Sequence, residues 1–337
     1  MVTISNTYLP SLKRWTELTL EEQEKARRLR MEKLDNAARK LSAGIEDLVA
    51  SDRWKDYLAF QGRFHHYSFS NTLLIMLQRP NVTQVASYNT WQRMNRYVMK
   101  GEGGISIFVP ILVKGKASKE VQIFEPEVQG FDEKELPGEE VDIEHLVGFK
   151  IGYVFDVSQT DGEPIPPDPV SLLQGNDEGL FEALKVFAED ELKMEVQEAG
   201  KDVLPGKVNG DCQYLADGLP SIIRIKGSNP SLMKAKTMIH ELGHALLHGE
   251  MEYKQHTSRS LQELEAESVA FTVLHAFGVD SGEYSFGYLA GWGNGEDAVK
   301  AIQSSGERIR KAAHRIIAWL EEREDAFYPN KGYAEAV

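Results

Sequence analysis

Two histidines four residues apart, with a glutamate beside the first, constrain this chain more than any other feature: His240-Glu241-Leu242-Gly243-His244. On a helix, residues four apart stand one turn above each other, so both imidazoles can face one metal ion. The surrounding run KTMIHELGHALLHG must then be helical, with its apolar side chains on a core and the imidazoles on one flank. Glu241 falls beside that flank and can reach a water on the ion as general base. A catalytic zinc takes three protein ligands and leaves a position for water, so a third ligand must come from elsewhere in the chain.

The segment LQELEAESVAF offers Glu263, Glu265 and Glu267. Glu263 and Glu267 are four apart and share a helix face, so one can bind the ion while the other orients a ligating histidine. We favour Glu263 as the ligand and Glu267 as the orienting carboxylate, with the reverse as the alternative, and expect Glu265 to point away. Ala266, Val269, Ala270 and Val273 pack this helix on a core, where adjacent carboxylates require a reason. His248 continues the histidine stripe and either touches the rim of the site or caps the last carbonyls before Gly249. Cys212 is expected to be a buried thiol rather than a ligand. Tyr214, Tyr253, Tyr284 and Tyr288 are candidate donors to developing negative charge, although simple packing is the favoured reading for each.

Composition sets the frame for this site. With 337 residues, 42% hydrophobic and 27% charged, the chain is globular and long enough for two cores. No apolar run approaches the ~20 residues of a membrane span, and the start lacks a secretory layout. With a single cysteine, no intramolecular disulfide can form. We expect a cytoplasmic protein with no membrane partner.

The net charge of −14 is unevenly spread. Residues 1–119 hold 19 basic and 11 acidic side chains, whereas the remainder holds 19 and 41. Between 60 and 119 only Glu102 opposes a run of arginines and lysines, and Phe64, Tyr67, Tyr88, Trp91 and Tyr97 are interleaved with them. Cations with aromatic platforms suit the backbone and splayed bases of single-stranded nucleic acid. We expect a basic domain over 1–119, an acidic linker or loop over 120–146 marked by VQIFEPEVQGFDEKELPGEEVDIEH from Val121 to His145, and a second domain over 147–337.

Both halves read as α+β. The spacing predicts a helix from Thr19 to Ala50 with a possible break at Gly44, another starting at Ser70 or Asn71 and stopping before Pro80, and a short one from Tyr88 to Arg93. Gly104 to Val113 reads as a strand with Pro110 marking an edge or bulge. In the second half, strands over Phe149–Val157 and Ser221–Ile225 and a helix over Gly179–Met194 precede helices near 230–247, 261–277 and 306–322.

The stretch from Tyr67 to Ile111 (YSFSNTLLIMLQRPNVTQVASYNTWQRMNRYVMKGEGGISIFVPI), together with VFDVSQTDGEPIP from Val154 and the HELGH helix, resembles the ArdC-type antirestriction family. That resemblance implies a two-domain α+β protein. Its N-terminal domain would bind single-stranded DNA, and its C-terminal domain would be a zincin-like metallopeptidase of the ImmA/IrrE, gluzincin type. It implies Zn2+ as cofactor, with Mn2+ an alternative, held by His240, His244 and Glu263, with Glu241 as catalytic acid/base. The third ligand would sit in an E-x-x-x-E segment where related zincins have E-x-x-x-D. Asn71, Arg79, Gln84, Trp91, Arg93, Arg96 and Lys100 are the expected DNA contacts. The implied activity is peptide hydrolysis linked to protection of incoming DNA, on a protein substrate the sequence does not name. Two alternatives stand beside it: a binding protein that shields DNA without proteolysis, and a protease that clips a repressor.

Overall fold

The computed structural model describes residues 18–50, 53–118, 140–165, 178–200, 202–204, 206–215, 220–249, 258–279 and 296–323. Tyr253, Tyr284 and Tyr288, and the acidic stretch as far as residue 139, lie outside the described residues. The chain is a mixed helix and sheet protein. Its described residues fall into two compact units, one comprising Met1–Ala38 with Ser106–Tyr153, the other Arg39–Ile105 with Val154–Val337.

Helix α1 (Leu20–Ala50) begins at a reciprocal cap. Thr19 Oγ1 accepts from Glu22 N at 3.2 Å, and Glu22 Oε2 accepts from Thr19 N at 2.7 Å. The helix passes through Gly44 unbroken, contrary to the expected break. The glycine serves packing instead, since a Cβ there would stand 2.4 Å from Leu77 Cδ1. Helix α2 (Trp54–Arg63) follows. Helix α3 (Phe69–Gln78) starts slightly before the predicted residues because Ser68 caps it, accepting from Asn71 N at 3.3 Å. It stops at an extended Arg79, as the residue before a proline requires.

Strand β1 (Val85–Ser87), helix α4 (Tyr88–Arg93) and strand β2 (Arg96–Val98) lead to β3 (Ile105–Ser118) and β4 (Glu140–Asp156). The sheet order is β1-β4-β3, which puts Pro110 on an edge strand where its missing N–H costs least. Strand β4 begins nine residues before the predicted Phe149 and runs through 140–146, where composition suggested a linker. The alternation Val141-Asp142-Ile143-Glu144 is a period-two strand pattern that the acidic content disguises. A short strand β5 (Thr160–Gly162) pairs antiparallel with β2.

The rest builds a second layer pair. Helix α5 (Glu178–Glu191) precedes β6 (Glu195–Ala199), β7 (Gly210–Tyr214) and β8 (Pro220–Lys226). The order is β6-β8-β7, with β6 parallel and β7 antiparallel to the central β8. Ile223 and Ile225 of β8 are fully buried. Helices α6 (Ser231–Leu247), α7 (Arg259–Ala276) and α8 (Glu296–Glu321) complete the fold. Helix α8 starts ten residues before the predicted Gly306, because that glycine lies inside it: a Cβ there would stand 2.3 Å from the Phe69 ring.

The compact units do not follow the charge division of the sequence. Helices α2 and α3 from the basic half pack within the same unit as α7 and α8. Trp54 Nε1 donates to Ser268 Oγ at 3.0 Å, and Phe69 N donates to Glu307 Oε2 at 2.8 Å. At Gly62 a Cβ would meet Thr272 O at 2.8 Å, so the two helices touch backbone to backbone.

Candidate metal centre

Helix α6 owes its position to Ala235, Met238, Ile239 and Leu242, all fully buried and spaced three or four apart. His240 and His244 occupy the flank of that stripe. Gly243 allows α7 to approach closely, for a Cβ there would lie 3.0 Å from Ala266 Cα and 3.3 Å from its Cβ. Helix α7 is fixed at its start by Ser258, whose Oγ accepts from Leu261 N at 3.3 Å. The two helices thereby hold imidazoles and carboxylates face to face.

His240 Nε2 and His244 Nε2 are 3.1 Å apart, and Glu263 Oε2 lies 3.4 Å from the first and 3.7 Å from the second. One ligand atom from each of the three lies within 4.8 Å of the others, a separation a single ion can bridge. Glu267 Oε2 stands 3.0 Å from His240 Nδ1, on the far side of the ring. It accepts that N–H and leaves Nε2 as the lone-pair atom aimed at the cluster.

His244 is oriented by a longer chain. Its Nδ1 is 2.9 Å from His248 Nδ1, and His248 Nε2 is 2.9 Å from Glu265 Oε2. Glu265 is fully buried, accepts from Ser305 Oγ and lies 3.7 Å from Arg308 Nε. With the Nε2 proton of His248 given to Glu265, the Nδ1 lone pair of His248 can accept only from His244 Nδ1–H. His244 Nε2 is then left free to ligate.

Glu265 does point away from the face that Glu263 and Glu267 share: it turns into the core, where its charge needs these partners. His248, which the sequence offered as a rim contact or a helix cap, is 1% exposed and links a candidate ligand to a buried carboxylate.

Without an ion, charge holds this cluster together, with His240 protonated between the two carboxylates. Burial opposes charge on His240, but the hydrogen bonds to Glu263 and Glu267 outweigh it and hold the imidazole up at about 9. The same contacts from His240 and His244 hold Glu263 well below the usual carboxylate range. Burial pushes His248 down, toward the neutral form the chain requires. Burial also pushes Glu241 up.

A cavity of about 460 Å³ opens over the cluster, lined on one side by His240, Glu241, His244 and Glu263 and on the other by Asp211, Cys212 and Tyr214 of β7. Gly210 begins that strand and lets it approach the catalytic candidate, since a Cβ there would lie 3.2 Å from Glu241 Oε1. Cys212 is half-buried and reaches this cavity, not the sealed interior expected of it. Tyr214 donates to His244 O at 3.1 Å, and burial raises its hydroxyl so that it stays protonated. A larger cavity of about 660 Å³ lies beside Lys40, Asp47, Arg79 and Gly103. It lacks converging imidazoles.

The seven expected DNA contacts separate into two groups. Arg93 and Lys100 are exposed, and Asn71 and Gln84 are half-buried. Arg79 pairs with Glu102 at 3.1 Å. Trp91 is corrected to the core: it is 2% exposed and donates its indole N–H to Phe155 O at 2.8 Å, leaving no ring face for a base. Arg96 is also consumed internally, donating from Nε to Thr160 Oγ1 at 2.8 Å and from Nη2 to Thr160 O at 3.0 Å. The exposed aromatic rings of this region are Tyr88 and Tyr97.

Residues 31–155 match the N-terminal domain of anti-restriction factor ArdC, and residues 197–275 match the IrrE N-terminal-like domain of the M78 peptidases. An uncharacterized Bacillus anthracis protein, pXO2-81, is 25% identical over 280 residues, covering 78% of this chain. The chain spans about half the length of that relative, 47%. Among solved structures, the metal-free antirestriction ArdC protein from the R388 plasmid is similar over 76% of this chain and 84% of its own, at 17% identity and a TM-score of 0.40. Its Mn(II)-bound form is similar over 78% and 85%, at 16% identity and a TM-score of 0.37.

Proposed function

We propose, from a chain that joins the N-terminal domain of ArdC to an IrrE-like domain, that this protein is a metal-dependent peptidase which binds single-stranded DNA and serves in the protection of incoming DNA. One observation carries the reading: His240, His244 and Glu263 converge on a shared point at the floor of a cavity that also holds Glu241.

His240, His244 and Glu263 would hold the ion, with Glu267 and the His248–Glu265 pair fixing the two rings. Two imidazoles and one carboxylate suit Zn2+ and accept Mn2+. When bound, such an ion acts as a Lewis acid that polarises a carbonyl and makes a water acidic enough to attack at neutral pH. Glu241, raised by burial, takes the proton from the attacking water and passes it to the departing amine. Tyr214, protonated and in the cavity wall, would serve developing negative charge only by turning its hydroxyl away from His244 O, to which it now donates. Strand β7 stands at the edge of its sheet along this cavity, a position from which it can pair with an extended peptide.

The DNA-binding surface in this reading uses the exposed Arg93 and Lys100 with Tyr88 and Tyr97 as stacking platforms. Asn71, Arg79 and Gln84 remain candidates at its margin. The test is a comparison of new protein N-termini in a host extract treated with wild type or Glu241→Gln, with and without single-stranded DNA. We expect cleavage products from wild type only. Equal products from both proteins would sink the mechanism, and intact DNA protection by the variant would favour the non-proteolytic alternative.

A further inference from the structure

A second group of imidazoles lies outside the HELGH cluster. His65 and His66 follow α2 in the turn that leads to α3, and His314 projects from the middle of α8. Adjacent residues on a helix diverge by about 100° and cannot share an ion, but these two have left the helix. Their ring centroids are 4.0 Å apart, and they lie 5.1 Å and 5.2 Å from that of His314. One ring nitrogen from each of the three falls within 4.8 Å of the others.

The closest approach is His65 Nδ1 to His314 Nδ1, at 2.9 Å. His65 is 4% exposed, and its other nitrogen, Nε2, stands 3.3 Å from Glu321 Oε1. A carboxylate beside Nε2 favours the proton on that nitrogen and the lone pair on Nδ1, which faces His314, the arrangement that carboxylates favour at metal-binding histidines. Glu321 lies seven residues beyond His314, on the same face of α8, so one helix supplies both a ligand and the group that orients another. The nearby cation, Arg310, donates to His65 O at 3.3 Å, and its charge is met by Glu307 Oε1 at 2.7 Å.

We propose that His65, His66 and His314 form a second metal site, selective for Zn2+ and similar nitrogen-preferring ions such as Ni2+ and Cu2+, with Glu321 as the positioning residue for His65. Three imidazoles and no carboxylate ligand disfavour Mn2+ and Mg2+, in contrast to the mixed donors of His240, His244 and Glu263. An ion here would tie the turn after α2 to α8, a staple within the second compact unit. The site stands whether or not the chain is a peptidase.

The test is zinc content of the full-length protein after dialysis at fixed micromolar free Zn2+, for wild type, H66Q, H240A/H244A and the triple variant. His66 is exposed, so H66Q removes a ligand without disturbing the core. We expect two zinc ions per chain in wild type, one in H66Q, one in H240A/H244A and none in the triple variant. In the H240A/H244A background, H66Q should weaken zinc binding by about 100-fold or more. Equal zinc content in wild type and H66Q would overturn the proposal and leave a plain histidine hydrogen bond at this place. So would the absence of zinc from folded H240A/H244A. Should H240A/H244A fail to fold, the comparison of wild type with H66Q decides alone.

Discussion

His248 Nε2 lies 2.9 Å from Glu265 Oε2, and neither side chain meets solvent, at 1% and 0% exposure. A buried carboxylate is costly unless its lone pairs are filled and its charge is met; here Ser305 and His248 supply the hydrogen bonds, and the Arg308 guanidinium stands 3.7 Å away as counter-charge. The pair favours the His248 tautomer that accepts from His244 Nδ1, which leaves His244 Nε2 with the lone pair.

Replacing Glu265 with Gln keeps the shape but can present an N–H to His248 and reverse the chain of protons. We expect metal affinity at the HELGH cluster to fall about 10- to 100-fold, read by competition with a chromophoric chelator. Unchanged affinity would reduce the pair to a packing feature.

Gly243→Ala places a methyl group 3.0 Å from Ala266 Cα and 3.2 Å from its carbonyl oxygen, both backbone atoms that cannot swing aside. The helices α6 and α7 must separate. We expect a loss of about 1–3 kcal/mol in urea unfolding, together with weaker metal binding as Glu263 moves away from the histidines.

In the chelator-treated protein, His240 is raised from 6.5 to about 9. Its contribution to stability is then complete below about 6.5 and is lost as pH rises toward 9. Glu263 is lowered from 4.5, so its contribution is present above that value and is lost as pH falls below it. Glu241, raised by burial, loses its contribution as pH rises above 4.5. The His240 contacts should therefore make melting temperature decline as pH rises from about 6.5 toward 9. A profile that rises across that last interval would contradict the assigned contacts.

Arg93→Ala with Lys100→Ala should weaken single-stranded DNA binding and reduce the slope of affinity against salt by about two charges. Arg96→Ala should instead lower thermal stability, because its guanidinium joins β2 to the chain at Thr160. A pure affinity loss with unchanged melting in the Arg96 variant would return it to the DNA surface.

Asp156 is 3% exposed and accepts from Thr83 N at 2.9 Å, Gln84 N at 3.3 Å and Ser158 N at 3.0 Å. These hydrogen bonds, with that of the Ser158 hydroxyl, overcome burial and hold its carboxyl below the ordinary range. Asp156→Ala leaves the three backbone donors without their acceptor. We expect a loss of about 3 kcal/mol in denaturant unfolding, and a loss below about 1 would mean that water replaces the carboxylate.

Much of this was legible from local spacing. The four-residue periods of His240 with His244 and of Glu263 with Glu267 require only that two helices form, and both helices carry apolar stripes that announce them. Thr19 and Pro80 mark helix ends by their own chemistry. What was not legible depends on partners far along the chain. Trp91 looked like a stacking ring until Phe155, 64 residues away, took its N–H, and Arg96 looked free until Thr160 took its guanidinium. Glu265 could not be paired with Ser305 or Arg308 by any periodicity. Gly44 and Gly306 suggested breaks because sequence cannot distinguish a glycine that ends a helix from one that admits a neighbour's side chain.

The most direct measurement is a crystal of the zinc-loaded protein with anomalous scattering collected across the zinc edge. The account predicts a peak at about 2.0–2.2 Å from His240 Nε2, His244 Nε2 and a Glu263 oxygen, with Glu241 beside it but not ligating. An ion held by Glu267 instead of Glu263, or no peak at this cluster in fully loaded protein, would contradict it.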